Sequence, residues 1–328
     1  MIVNAGFLAV FLFGFGAIGV WTGGIGKGEF RAGLGDLGAI PNLMTKFILP
    51  ALLAYCVSMY CRTDRRRKTT TLLGVNFVLL FITGASWGFK STAFIVLTPA
   101  LLLLFWRPSP TALLVMATAF LAGVVGFTQL FDADVEIYED IQSYLFRRVT
   151  ILQGDVAWYV WDQFISNESF PDYWPTLLAA AGDKLLVFGG LSRDDLLEWT
   201  MHHYDLMLTF VAGVSLEQIQ DGHSITGTPF SEGLIAGGVL GVAGFSIVAG
   251  ILVGRTYYFI NKALVKGHDT AAAMGATYFC FYIFAWLNGG AIVQLFHISI
   301  LISLAVTYLF LIMLRSRKAG RIFDTSQP

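Results

Sequence analysis

Charge is what this chain has least of. Only 13% of its 328 residues are Asp, Glu, Lys or Arg, against roughly 25% in an ordinary soluble domain. With 56% hydrophobic residues, that shortage excludes a soluble globular class and implies a membrane protein. Cysteine is nearly missing too. Cys56, Cys61 and Cys280 lie in apolar stretches, so core packing is expected and neither a disulfide framework nor a metal site is implied. Met1-Ile2-Val3-Asn4 puts no basic residue before the first apolar run, so no cleavable signal is expected. Internal repeats and low-complexity tracts are lacking. The net charge of −1 says nothing about partners, because the charges are segregated along the chain, and no nucleic-acid partner is expected.

What the chain has instead is apolar length. A spanning helix needs about 20 mostly apolar residues. Eight stretches are read as spans: residues 5–21, 47–61, 71–86, 92–106, 111–130, 230–254, 271–287 and 292–314. The connection after the second reads RTDRRRKTT and is placed in the cytoplasm, where short loops collect Lys and Arg. Alternation then makes three other connections cytoplasmic, and each is basic: Arg107; Arg255, Lys262 and Lys266; Arg315, Arg317, Lys318 and Arg321. The same alternation puts residues 131–229 outside, where sixteen of the chain's 22 acids lie beside only Arg147, Arg148, Lys184 and Arg193. The expected fold is therefore all-α: a polytopic membrane protein with one large extracytoplasmic helical loop and both termini cytoplasmic. Its parts are membrane helices in 1–130, the loop in 131–229, and membrane helices with a cytoplasmic tail in 230–328.

A loop near 100 residues is too long to be structureless in a compact protein. Amphipathic runs such as VEIYEDIQSYLFRRVTILQ suit helices on the membrane surface or over a cavity. Trp158, Tyr159, Trp161, Tyr173 and Trp174 suit an interface, with stacking on sugar rings as the rival reading. The first outer loop, TGGIGKGEFRAGLGDLGAIPN, is glycine-rich and expected to be flexible. Gly233, Gly237 and Gly241 recur at a spacing of four, a ridge that lets helix backbones pack closely.

Three features on the outer side carry candidate chemistry. The turn TGASWGFKST, 83–92, is rich in small residues and presents Lys90, which either snorkels to headgroups or meets an anion. Arg147 and Arg148 either pair with Glu139, Asp140 or Asp155, or form a bidentate clamp for phosphate oxygens. In DGHSITGTPFSEGLIAGG, 221–238, Thr228 is placed to cap a helix with Pro229 at its first position. Glu232 then lies in the first turn, either as a structural acid favoured by the helix dipole or as a proton acceptor, with His223 as a second acceptor. Cations for a diphosphate, acids for a proton and aromatics for sugars together suit glycan transfer from a polyprenyl diphosphate lipid.

The turn TGASWGFKS, the loop run RRVTILQGD, the late GTPFSEGLIAGGVLG and the single large outer loop resemble the Wzy-type O-antigen and exopolysaccharide repeat-unit polymerases over roughly residues 70–255. Where such polymerases often carry an arginine in the first turn, this chain has Trp87 and then Lys90. The resemblance implies a lipid-diphosphate-dependent glycosyltransferase of the bacterial inner membrane, working at its outer face, inverting, with neither metal nor cofactor. Its substrate is an undecaprenyl-diphosphate-linked oligosaccharide, with membrane lipid and a chain-length regulator or export complex as partners. Glu232, Asp155 or His223 would take the acceptor proton. Arg147, Arg148 and Lys90 would hold the diphosphate, with Arg193 in reserve. An O-antigen ligase is the alternative enzyme, and a lipid-linked glycan flippase the alternative from another class.

Overall fold

The computed structural model describes residues 1–22, 24–62, 67–88, 90–106, 152–166, 228–290 and 292–324, with single positions 111, 114, 118, 173, 174 and 177. Every regular element among the described residues is helical. Among the described residues, three helices are long and apolar enough to cross a membrane: Ala39–Arg62, Pro229–Val265 and Asp269–Gly289. Ile2–Gly14, Thr69–Ala85, Thr92–Leu104 and Ile298–Leu314 are apolar but shorter. Of the predicted spans, 47–61, 230–254 and 271–287 fall on the three long helices, 5–21, 71–86, 92–106 and 292–314 overlap only the shorter ones, and 111–130 lies almost entirely outside the described residues.

The chain divides into two compact units, one of residues 1–117, 255–281 and 302–328, the other of 118–254 and 282–301. At the centre of the first unit is Leu49–Arg62 (α1), apolar around most of its circumference. It packs against Arg67–Ala85 (α2), Thr98–Leu104 (α3) and Asp269–Tyr278 (α4). Small residues make that approach possible: Ala51, Ala54, Ala272, Ala273 and Ala276 are all buried in this core. In helix packing without a strong hydrophobic drive, close backbones and dense dispersion contacts supply the attraction. At one end Arg62 pairs with Asp269. The Ser58 hydroxyl donates to the same carboxylate at 2.6 Å.

Two expectations are corrected in this unit. The glycine-rich first loop is helical over Lys27–Leu34 and again over Ala39–Leu43. Phe30 anchors it, packing 6.0 Å from Phe11 and 6.3 Å from Trp87 between ring centroids. Apolar docking of one side chain thus overrides the low helix propensity of its glycines. In the 83–92 turn, Gly84 lets two helices pack closely, since a Cβ there would sit 2.8 Å from Ala93 Cα. Trp87 is buried there and donates through Nε1 to Thr45 Oγ1 at 3.1 Å. Finally, Cys61 is exposed, not packed in a core.

Candidate functional site

The site is built on Pro229–Val265 (α5), in its part that belongs to the second unit. The predicted cap is present and reciprocal. Thr228 Oγ1 accepts from the Ser231 N–H at 3.3 Å, and Ser231 Oγ accepts from the Thr228 N–H at 3.1 Å. Two otherwise orphaned donors are satisfied, as in a capping box. Pro229 follows at the first helical position, and Glu232 stands in the first turn.

This helix is not continuous. Gly237 has φ −176°, ψ 29°, and Gly238 has φ 61°, ψ −145°. The second pair of angles is accessible essentially to glycine alone. The break folds residues 229–236 back on the rest: a Cβ on Gly233 would lie 2.8 Å from Val242 Cα. The glycines at spacing four do permit close backbone approach, but between two halves of one segment and not between separate helices. Without the break, 37 residues of α-helix would extend about 56 Å, nearly twice the roughly 30 Å hydrocarbon thickness.

Glu232 lies in the short half and is 0% exposed. Three donors converge on its carboxylate. Tyr173 O–H donates to Oε1 at 2.8 Å, Trp286 Nε1–H to Oε2 at 2.8 Å, and the Ile292 backbone N–H to Oε1 at 2.8 Å. Each comes from a different stretch of chain. Phe284–Gly289 (α6) ends at Gly290 with φ 72°, and the turn there brings the Ile292 amide to the carboxylate. Phe245, beyond the break, packs its ring 6.1 Å from both Tyr173 and Trp286. Charge-assisted hydrogen bonds contribute roughly 1.5–3 kcal/mol each, and they offset the high cost of burying a carboxylate.

Trp174 clamps the other end of the same short helix. Its Nε1–H donates to the Ala236 carbonyl at 3.2 Å, satisfying a backbone acceptor that the break frees. Burial, the nearby Glu232 charge and the hydrogen bond to it push the Tyr173 phenol above its ordinary value. It therefore stays a donor throughout the physiological range. Along the short half runs Leu152–Ile165 (α7), with Val160 and Phe164 against Leu234 and Ile235. Phe164 also covers the break, since a Cβ on Gly238 would meet its ring at 3.0 Å. On the same helix, Gln163 is 9% exposed and its Oε1 is buried without a hydrogen-bond partner.

Among the candidate residues, only Glu232 has its side-chain surroundings described. Asp155 lies on α7, and Lys90 opens the helix Lys90–Ile95, both known by backbone position alone. Arg147, Arg148, Arg193 and His223 lie outside the described residues. Sequence reading missed Trp286, Gln163 and the Ile292 amide: a single tryptophan or glutamine in an apolar helix carries no pattern that singles it out. Tyr173 was visible only as an aromatic for an interface or a sugar face, and it proves to be a buried donor instead. Trp158 and Trp174, by contrast, are exposed. Comparison with protein-family models, with curated proteins and with solved structures finds no significant match for this chain.

Proposed function

We propose that the chain polymerises polyprenyl-diphosphate-linked oligosaccharide repeat units into O-antigen or exopolysaccharide, at the outer face of a bacterial cytoplasmic membrane. The observation that carries this reading is the buried Glu232 carboxylate beside a break in a long apolar helix. Ionisable groups inside apolar helices are costly, and they mark substrate sites by default. The reading takes the eight spans, the outer loop of residues 131–229 and cytoplasmic termini as its frame.

In the proposed step, a hydroxyl of the incoming lipid-linked unit attacks the anomeric carbon of the growing chain. A new C–O bond forms as the bond to the donor's diphosphate breaks, and the diphosphate leaves with the electron pair. Arg147, Arg148 and Lys90 hold the departing anion, with Arg193 as a further cation. Such donors lower the barrier when their grip tightens as charge develops. The acceptor's proton passes to Glu232, Asp155 or His223. Glu232 is enclosed by Tyr173 and Trp286, so a proton reaches it only when one of those partners yields; Asp155 and His223 carry no such requirement in this reading. A single displacement inverts the anomeric centre, and the cleaved anomeric phosphate bond drives the reaction. Gln163, with its unpartnered oxygen, and exposed Trp158 and Trp174 suit contact with sugar hydroxyls and sugar faces.

Arg147→Ala and Arg148→Ala are each expected to abolish long glycan chains at unchanged protein level, read as ladders on a gel of surface glycans. Unchanged ladders in both variants would overturn the clamp. For the frame, cysteine labelling is expected to find position 155 accessible from outside and position 66 only from inside; the reverse pattern would overturn it. A second reading, transport of the lipid-linked glycan, is favoured by the broken helix, a device transporters use at their binding sites. Deletion in the source bacterium separates the readings. Surface lipid capped with single units indicates polymerisation, absence of attached glycan indicates ligation, and lipid-linked glycan accumulating on the inner side indicates transport.

A further inference from the structure

The basic stretch after residue 254 has a shape that charge placement alone does not require. The helix continues through it to Val265, so Arg255 and Lys262 stand seven residues apart on one helical face, about 10 Å along the axis. Between them the chain reads Tyr257-Tyr258-Phe259, all three exposed. A groove of about 560 Å³ opens here, lined by Arg255, Tyr258 and Lys262, with Gly275, Tyr278 and Leu304 across from them. Gly275 lets the facing helix come close, since a Cβ there would lie 2.8 Å from Ile260 Cγ1. Lys262 Nζ sits 5.7 Å from the centre of the Tyr258 ring. Arg62, in the same unit, pairs with Asp269, whereas Arg255 and Lys262 have no carboxylate partner among the described residues. Two cations without a carboxylate partner among the described residues thus flank a groove whose walls are aromatic and aliphatic.

We infer that this groove binds the phosphate headgroup of an anionic phospholipid, with an acyl chain lying along Phe259 and Leu304. A guanidinium meets phosphate oxygens bidentately and an ammonium adds a point charge. Tyrosines at the groove suit headgroup depth, and basic pockets between membrane helices are where anionic headgroups lodge. A soluble anion explains the cations but not the apolar walls. This inference rests on the membrane reading of Pro229–Val265, and not on glycosyl transfer.

The test is lipid retention by the full-length protein in neutral detergent, read by native mass spectrometry with phosphatidylglycerol, phosphatidylcholine or inorganic phosphate added. Phosphatidylglycerol is expected to be retained in preference to phosphatidylcholine. Arg255→Gln and Lys262→Gln are each expected to weaken its binding about fivefold, the attraction one basic residue has for an anionic surface. Lys266→Gln, an equal charge change outside the lining, is expected to leave it unchanged, as are thermal midpoints in lipid-free detergent. Equal retention of both lipids, an equal loss in Lys266→Gln, or binding of inorganic phosphate as strong as that of the lipid would each overturn the inference. Retention lost with intact glycan ladders separates this site from the transferase reading, whose own failure shows as intact ladders in Arg147→Ala and Arg148→Ala.

Discussion

Glu232→Gln is expected to destabilise the protein by about 1–3 kcal/mol, the cost of leaving one buried donor unsatisfied. The carboxylate presents two acceptor oxygens to three donors, from Tyr173, Trp286 and the Ile292 amide. A carboxamide has one oxygen and one NH2. If its oxygen serves Tyr173 and Ile292, its NH2 faces the Trp286 N–H, and two donors oppose each other. The reversed placement strands the other pair. Glu232→Ala removes every acceptor and leaves a cavity, so its expected loss is larger than that of Glu232→Gln, with three buried donors unsatisfied in place of one. Tyr173→Phe removes one donor without touching the charge, and its expected cost is about 1.5 kcal/mol, the lower end for one bond to a charged group. Chemical denaturation in detergent measures the series, whose order is the test. A Glu232→Gln protein as stable as the parent would show that these donors do not hold the short helix in place.

The second large effect is expected at Gly241, where a Cβ would run into the Gly233 carbonyl oxygen. Gly233→Ala meets the mirror problem, with its Cβ 2.8 Å from Val242 Cα and 2.9 Å from Val242 N. Backbone atoms cannot turn aside as side chains do, so the two halves of α5 must separate. Overpacking costs typically 1–3 kcal/mol, and about 3 kcal/mol is expected for Gly241→Ala. Gly244 and Gly250 lie on the same helix, and a methyl added at either would meet nothing within 4 Å. At those sites alanine is expected to stabilise by up to about 1 kcal/mol, the helix-propensity difference. Opposite signs at Gly241 and Gly244, in one unfolding experiment, would establish the fold-back. A Gly241→Ala protein no weaker than Gly244→Ala would remove it.

Some of the site is legible in residue order because its causes are local. Thr228, Pro229 and Ser231 lie within four residues, and the cap they form follows from what each side chain can reach. Glu232 falls in the first turn for the same reason. The break at Gly238 is harder. Glycines at a spacing of four suit both a smooth ridge and an interrupted helix, and the choice depends on what packs nearby. Here Trp174 caps the freed Ala236 carbonyl and Phe164 covers the turn. The first outer loop misled for a similar reason: its glycines count against a helix until Phe30 finds Phe11 and Trp87.

By itself, the sequence determined the class of molecule: scarce charge and long apolar runs suffice for helices that bury their own backbone polar groups, and every regular element among the described residues is helical. It also determined the helix start at Thr228. Tertiary structure decided the rest of the site, bringing Tyr173 and Trp286 to Glu232 across 59 and 54 residues and folding a single apolar segment into two. The physical reason is range. Caps and turns are settled by neighbours within a few residues, whereas a buried carboxylate is tolerated only where donors from distant parts of the chain meet it.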